Sequence, residues 1–176
     1  MLFSDRSIWT MVHGIGLGGA ALLGLAAALF YLSAARPAVS IDDGEPGARA
    51  FATVTVFTAT MLWLTVIIGT YVIFPAYRTT PPPGTTDLAG FPRTLVLASP
   101  GTAWLHTFAM ETKEHMPWIA AMLTTAVAFI AVRYRSGMLT NGSIRRMVLT
   151  LLAISFVVVS WVSLLGVFVN KVAPLE

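Results

Sequence analysis

Four long apolar runs follow one another along the chain, at about residues 8–32, 50–74, 117–134 and 147–169. The apolar residues in each run are continuous rather than alternating, which favours helices over the strands of a β-barrel. A helix of about twenty residues is long enough to cross the ~30 Å hydrocarbon layer of a bilayer. The pattern therefore predicts an all-α integral membrane protein whose residues 1–176 form a single four-transmembrane-helix bundle.

The connection before the third span is the most complex. The polar first connection, 33–49, has the turn-forming sequence of residues 42–47, and the third, 135–146, is short and basic. The second, about 77–101, contains an apolar patch at residues 95–98, which we expect at the membrane interface. Residues 103–115 predict a short interfacial helix. Because Pro117 disfavours helix at Met116, the third helix either starts at Pro117 or kinks there.

Composition supports a membrane protein. Hydrophobic residues make up 56% of the chain and charged residues 11%, whereas a soluble domain carries about a quarter charged residues. Cysteine is absent, which excludes disulfides, iron–sulfur clusters, thiolate zinc sites and covalent c-type haem. The formal charge of +3 comes from scattered arginines, a distribution unlike that of a nucleic-acid-binding surface.

The basic residues suggest an orientation. One side of the predicted bundle carries Arg36, Arg49, Arg133, Arg135, Arg145 and Arg146, and the other carries Arg6, Arg78, Arg93, Lys113 and Lys171. The third connection decides between them, because it is short and holds arginines without any acid. The positive-inside rule then places the first and third connections in the cytoplasm. We expect a multi-pass protein of a bacterial-type inner membrane, with both termini on the periplasmic side.

Inside the first span, His13 is an ionisable residue that suggests a functional site. The helical face beyond it carries a small residue every four positions, Gly16, Ala20, Gly24 and Ala28. This face has two interpretations: close helix–helix packing, or a flat surface against which a porphyrin lies with His13 as axial ligand. In the second span, Gly69 lies at a comparable depth and could offer similar clearance.

The densest polar cluster extends from His106 to Met116. It has three interpretations. It is a solvated interfacial segment between Trp104 and Trp118, or it supplies haem ligands, or it binds copper through histidine together with Met110 and Met116. The second haem ligand is open between His115, which matches the depth of His13 better, and His106.

With four spans, no cysteine, His13 in the first span, and His106 and His115 before the third, the chain resembles small four-helix b-type membrane cytochromes and membrane-anchor subunits of respiratory complexes. The resemblance implies one b-type haem between His13 and His115 or His106 near the outer face. It implies that basic groups such as Arg78 or Lys113 pair the propionates. It also implies that Tyr71, Glu111 or Glu114 serves a quinone headgroup.

The predicted function is therefore that of a membrane subunit of a respiratory or electron-transfer complex, which holds one haem b and exchanges electrons with quinone or a redox partner. Helices two and four contain no histidine, so we expect at most one bis-histidine haem. Two alternatives stay open: a cofactor-free accessory subunit that stabilises a larger complex, and a membrane copper-binding protein.

Overall fold

Our computed structural model describes residues 4–35 and 41–174, with the backbone alone at 41–44. The helices are α1 (Asp5–Ala34), α2 (Ile41–Ile68, continued by Gly69–Ile73 and Phe74–Tyr77), α3 (Pro92–Leu97), α4 (Leu105–Tyr134), α5 (Ser136–Thr140) and α6 (Gly142–Val172). The helices α1, α2, α4 and α6 are long and apolar enough to cross a membrane. The four apolar runs thus form four long helices, as predicted.

Two predicted boundaries are wrong. Helix α2 begins at Ile41 and not near residue 50, so the predicted turn over residues 42–47 is helical. Helix α4 begins at Leu105 and continues through Pro117, so residues 103–115 form no separate helix. The short helix before α4 is α3, which includes most of the predicted apolar patch. A proline inside a helix removes one backbone hydrogen bond, and the surrounding packing outweighs that cost at Pro117.

The four long helices form a ring in which each packs mainly against two neighbours: α1 on α2, α2 on α4, α4 on α6, and α6 on α1. We call the end of the bundle that carries α3 and residues 4 and 174 the terminal end. The opposite end, which carries α5, is the loop end. Because consecutive long helices run antiparallel, residues far apart in sequence meet at each end.

At the loop end, arginines hold the helices together. The guanidinium of Arg145 on α6 donates to the carbonyls of Leu32, at 2.7 Å, and of Ala35. The last carbonyls of a helix have no partner within the helix, so Arg145 caps the end of α1. Glu45 on α2 accepts from Arg49 at 3.0 Å and from Arg135 at 3.1 Å. Two of the arginines that predicted orientation, Arg135 and Arg145, therefore also join different helices at this end, whereas Arg49 pairs within α2.

The buried apolar core is divided in two. The larger part fills the bundle from the loop end up to Ala21, Val66, Ala120 and Val159. The smaller part lies at the terminal end and consists of Tyr77, Val96, Leu105, Ala109, Met110, Leu165, Val169 and Ala173. It includes Val96, by which α3 is seated on the bundle. The interval between the two cores contains the polar residues described next.

Candidate functional site

Four residues from the four long helices lie at one depth. His13, Gly69 and Lys113 are each eight residues from the terminal end of α1, α2 and α4, and Gly166 is six residues from that end of α6. At the helical rise these separations correspond to about 9–12 Å. We call these four residues the His13 layer. On α4 the layer falls between Met110 and Ala120 of the two cores, so the apolar packing is interrupted where the histidine and the lysine lie.

The His13 ring packs against the backbone of α2. A Cβ atom built on Gly69 would lie 2.7 Å from Cε1 of His13, and the ring also faces the backbone of Thr65. Within residues 4–35 and 45–174, Nδ1 of His13 is the one buried side-chain nitrogen or oxygen without a hydrogen-bond partner. Buried polar groups normally have partners, so this atom makes the layer a candidate ligand site.

On the other side of the layer, Lys113 reaches α6. Its Nζ lies 3.0 Å from the position that a Cβ on Gly166 would occupy. The lysine is half-buried and near enough to His13 for its charge to act on the imidazole. Both ion pairs found among the described residues involve Glu45 at the loop end. No described carboxylate therefore neutralises Lys113.

The backbone around the layer departs from α-helical geometry. Three of the long helices contain π-helical turns in their terminal halves: Val12–Gly18, which includes His13, Gly69–Ile73, which begins at Gly69, and Leu105–Met110. Neither of the first two turns contains a fully buried residue. Such turns occur frequently at functional sites. The layer is thus bordered by irregular, partly open backbone on two adjacent helices.

His106 belongs to a separate network at the terminal end. Its Nδ1 lies 3.1 Å from the hydroxyl of Tyr77, and its Nε2 lies 3.3 Å from Nε of Arg93 on α3. Because a guanidinium can only donate, Nε2 must be the accepting nitrogen. A neutral imidazole then carries its proton on Nδ1 and donates it to Tyr77. With both nitrogens engaged, His106 fastens α3 to the bundle and offers no free ligand atom.

His115 has the predicted depth but lies on a different face. It follows Lys113 by two residues, about 200° around the helix, so it is exposed while Lys113 faces α6. Its Nδ1 donates to the Glu111 carbonyl at 2.8 Å, which leaves Nε2 as the nitrogen with a lone pair. No described contact joins His115 or His106 to His13.

The small-residue face of α1 divides into two parts. Near the loop end, Gly24 and Ala28 are buried, and a Cβ on Gly24 would overlap the side chain of Thr58 on α2. Close helix packing therefore accounts for that part. Nearer His13, Gly16 is exposed and Ala20 half-buried, and among the described residues a Cβ on Gly16 would meet just the Met11 carbonyl oxygen, at 4.0 Å. The part of this face nearer the terminal end therefore leaves open surface beside His13.

The other predicted residues lie around the terminal end. Arg78 is exposed, with its guanidinium 5.4 Å from the centre of the Phe74 ring, and Tyr71 is 70% exposed. Glu111 is exposed and Glu114 half-buried. None of these side chains has a described contact with His13.

The two methionines of the predicted copper set lie on α4. Met110 is buried in the smaller core and Met116 is half-buried. In the described part of the chain, no three histidine or carboxylate side chains gather as a metal-binding group.

Sequence reasoning missed part of this site. It assigned Lys113 to the outer surface, and it did not single out Gly166. A signal was available in the matched depths of Gly69 and Gly166, since a glycine opposite a long polar side chain gives it room. Comparison of the chain with protein-family models, with curated proteins and with solved structures finds no match.

Proposed function

We propose that the chain is a multi-pass membrane protein whose four long helices cross the bilayer. Support comes from the outer surface of the bundle, where large apolar side chains such as Ile15, Phe30 and Phe129 are 75%, 75% and 66% exposed. A surface this apolar is unfavourable in water and suits contact with lipid. The arginine-rich loop end faces the cytoplasm under the positive-inside rule. The His13 layer then lies in the outer half of the membrane.

Within that membrane protein, the His13 layer binds the headgroup of a quinone, and the chain serves as a quinone-binding subunit of an electron-transfer assembly. The observation that carries this proposal is the buried Nδ1 of His13, which has no hydrogen-bond partner, in the same layer as the Lys113 amine, which has no described carboxylate partner. An ammonium only donates hydrogen bonds, whereas an imidazole nitrogen donates or accepts. A quinone offers accepting carbonyl oxygens, and its reduced form offers hydroxyls, so both states match this pair.

Access from the bilayer also favours a lipid-soluble ligand. A Cβ built on Gly14 would meet no atom within 4 Å, Gly16 is similarly open, and both residues are exposed next to His13. A ring that moves laterally from the membrane could approach the layer along this open strip of α1. Electrons would come from, or go to, a partner subunit, because the quinone is reduced or oxidised only with a second redox centre.

A second candidate ligand is haem b with His13 as an axial ligand. The partnerless Nδ1 and the clearance at Gly69 fit one imidazole ligand. The bis-histidine arrangement fits less well, since His106 has both nitrogens engaged and His115 faces outward. If bound, the haem would supply one-electron transfer at this layer, where His13 would hold it and Lys113 would offer a cation to a propionate.

Purification from the native membrane followed by four measurements tests these proposals. The quinone proposal predicts quinone in an organic extract of the delipidated protein, close to one per chain, and its loss from His13→Ala. The haem candidate predicts a Soret band that His13→Ala abolishes. Protein with neither ligand, but with co-purifying chains, would favour the accessory-subunit alternative instead. Metal analysis tests copper in the same sample.

A further inference from the structure

Lys113 places a basic amine inside the bundle, and no described carboxylate forms an ion pair with it. It lies half-buried against Gly166, between two apolar cores, and both described ion pairs are at the far end of the molecule. The neighbouring carboxylates, Glu111 and Glu114, belong to the cluster around Arg78, Arg93 and His115. Burying an uncompensated charge is costly, so a ligand that carries negative charge is the partner that would let the Lys113 amine keep its proton inside the layer.

Of the three redox states of a quinone, the one-electron-reduced state carries the negative charge that this layer favours. Addition of one electron to a neutral quinone gives a semiquinone anion, whose charge is shared between its two oxygens. A second electron and two protons then give the neutral hydroquinone. Of these three forms, only the semiquinone anion carries a net negative charge, so a protonated Lys113 interacts with it more strongly than with the neutral quinone or hydroquinone.

We propose that Lys113 makes the His13 layer a site that stabilises the anionic semiquinone, so that the bound quinone exchanges electrons one at a time. This inference rests on the proposed quinone site and specifies its chemistry. The electron donor in the cell is a one-electron carrier of the partner subunit, and in the test it is dithionite. The imidazole of His13 forms a hydrogen bond with one quinone oxygen. The ammonium of Lys113 lies near the other oxygen, which shares the negative charge of the semiquinone.

The two lysines of the chain, Lys113 and Lys171, provide a matched pair for the test. The purified protein with bound quinone is titrated with dithionite, and the semiquinone radical is quantified by electron paramagnetic resonance. Lys113→Met should lower the semiquinone stability constant by about tenfold or more. Lys113→Arg and Lys171→Met should retain most of it. An unchanged radical yield in Lys113→Met would overturn the inference.

A measurement on the unaltered sequence keeps the test independent of folding defects. Protein labelled with ¹⁵N only at lysine should show a hyperfine coupling between the radical and one lysine nitrogen, and the absence of that coupling would contradict the inference. Quinone content of the same samples is measured separately. Quinone that binds but yields no stabilised radical contradicts this inference alone, whereas protein that binds no quinone contradicts the proposed function itself.

Discussion

The His13 ring and the Gly69 backbone are in direct contact across the α1–α2 interface, and a Cβ on Gly69 would lie only 2.7 Å from the ring. Atoms at that separation overlap, so one of them must move. Glycine is the residue that lets the imidazole occupy this position. The contact joins the two π-helical turns that border the site.

Gly69→Ala should therefore displace the His13 ring and weaken quinone binding. A shift of about 1 Å at a binding group can reduce function on the order of a hundredfold, and we expect an affinity loss of at least about tenfold. Gly19→Ala is the matched control, because a Cβ there meets no atom within 4 Å. Equal affinities for the two variants would show that the His13–Gly69 contact does not position the ligand.

The contact between Gly24 and Thr58 predicts an effect on stability alone. A Cβ on Gly24 would overlap the Thr58 hydroxyl, so Gly24→Ala should destabilise the bundle by about 1–3 kcal/mol through overpacking. Thr58→Ala in the same chain should recover part of that loss, because it removes the nearest atom. Thermal unfolding in detergent measures both. A neutral Gly24→Ala would mean that α1 and α2 are not packed this closely.

Two adjacent arginines at the loop end carry the same charge but differ in the contacts that they make. Arg145 caps α1 by donating to the Leu32 and Ala35 carbonyls, whereas Arg146 is exposed. Arg145→Ala should cost about 1–3 kcal/mol, and Arg146→Ala should cost far less, although both remove one positive charge. Unfolding in detergent again provides the measurement, and equal losses would contradict the capping role.

The network at His106 predicts a single tautomer. Since Arg93 donates to Nε2, the proton of neutral His106 should reside on Nδ1. The ¹⁵N chemical shifts of labelled histidine distinguish the two tautomers directly. Arg93→Gln should weaken this preference, and His106→Ala should loosen α3 without abolishing quinone binding. A proton found on Nε2 in the unaltered protein would rule out the described network.

The proposed orientation is testable because the chain has no cysteine of its own. Thr86→Cys lies in the connection at the terminal end, and Thr140→Cys lies at the loop end; both positions are exposed. The proposed topology predicts that a membrane-impermeant thiol reagent labels Thr86→Cys in intact spheroplasts. Thr140→Cys should react only after permeabilisation. The reverse labelling pattern would mean that the protein has the opposite orientation in the membrane.

Much of the fold could be predicted from the sequence, because long apolar runs have few alternatives to helices. The sequence left open whether the third helix starts at Pro117 or continues through it with a kink, since local propensity indicates a break there. Packing on two neighbouring helices continues the helix. The presence of Lys113 in the His13 layer was missed for another reason. The sequence gives the depth of His115 and Lys113 along α4, but it does not give the rotation of α4 about its own axis. Packing against the other helices sets that rotation, and it turns the lysine inward and the histidine outward.

Binding of a short-chain quinone to the purified protein in lipid nanodiscs tests the central proposal most directly. His13→Ala and His115→Ala are compared, because both remove one histidine of the terminal half, one within the His13 layer and one exposed. The proposed site predicts loss of binding in His13→Ala and near-wild-type affinity in His115→Ala. Wild-type affinity in a folded His13→Ala protein would contradict it.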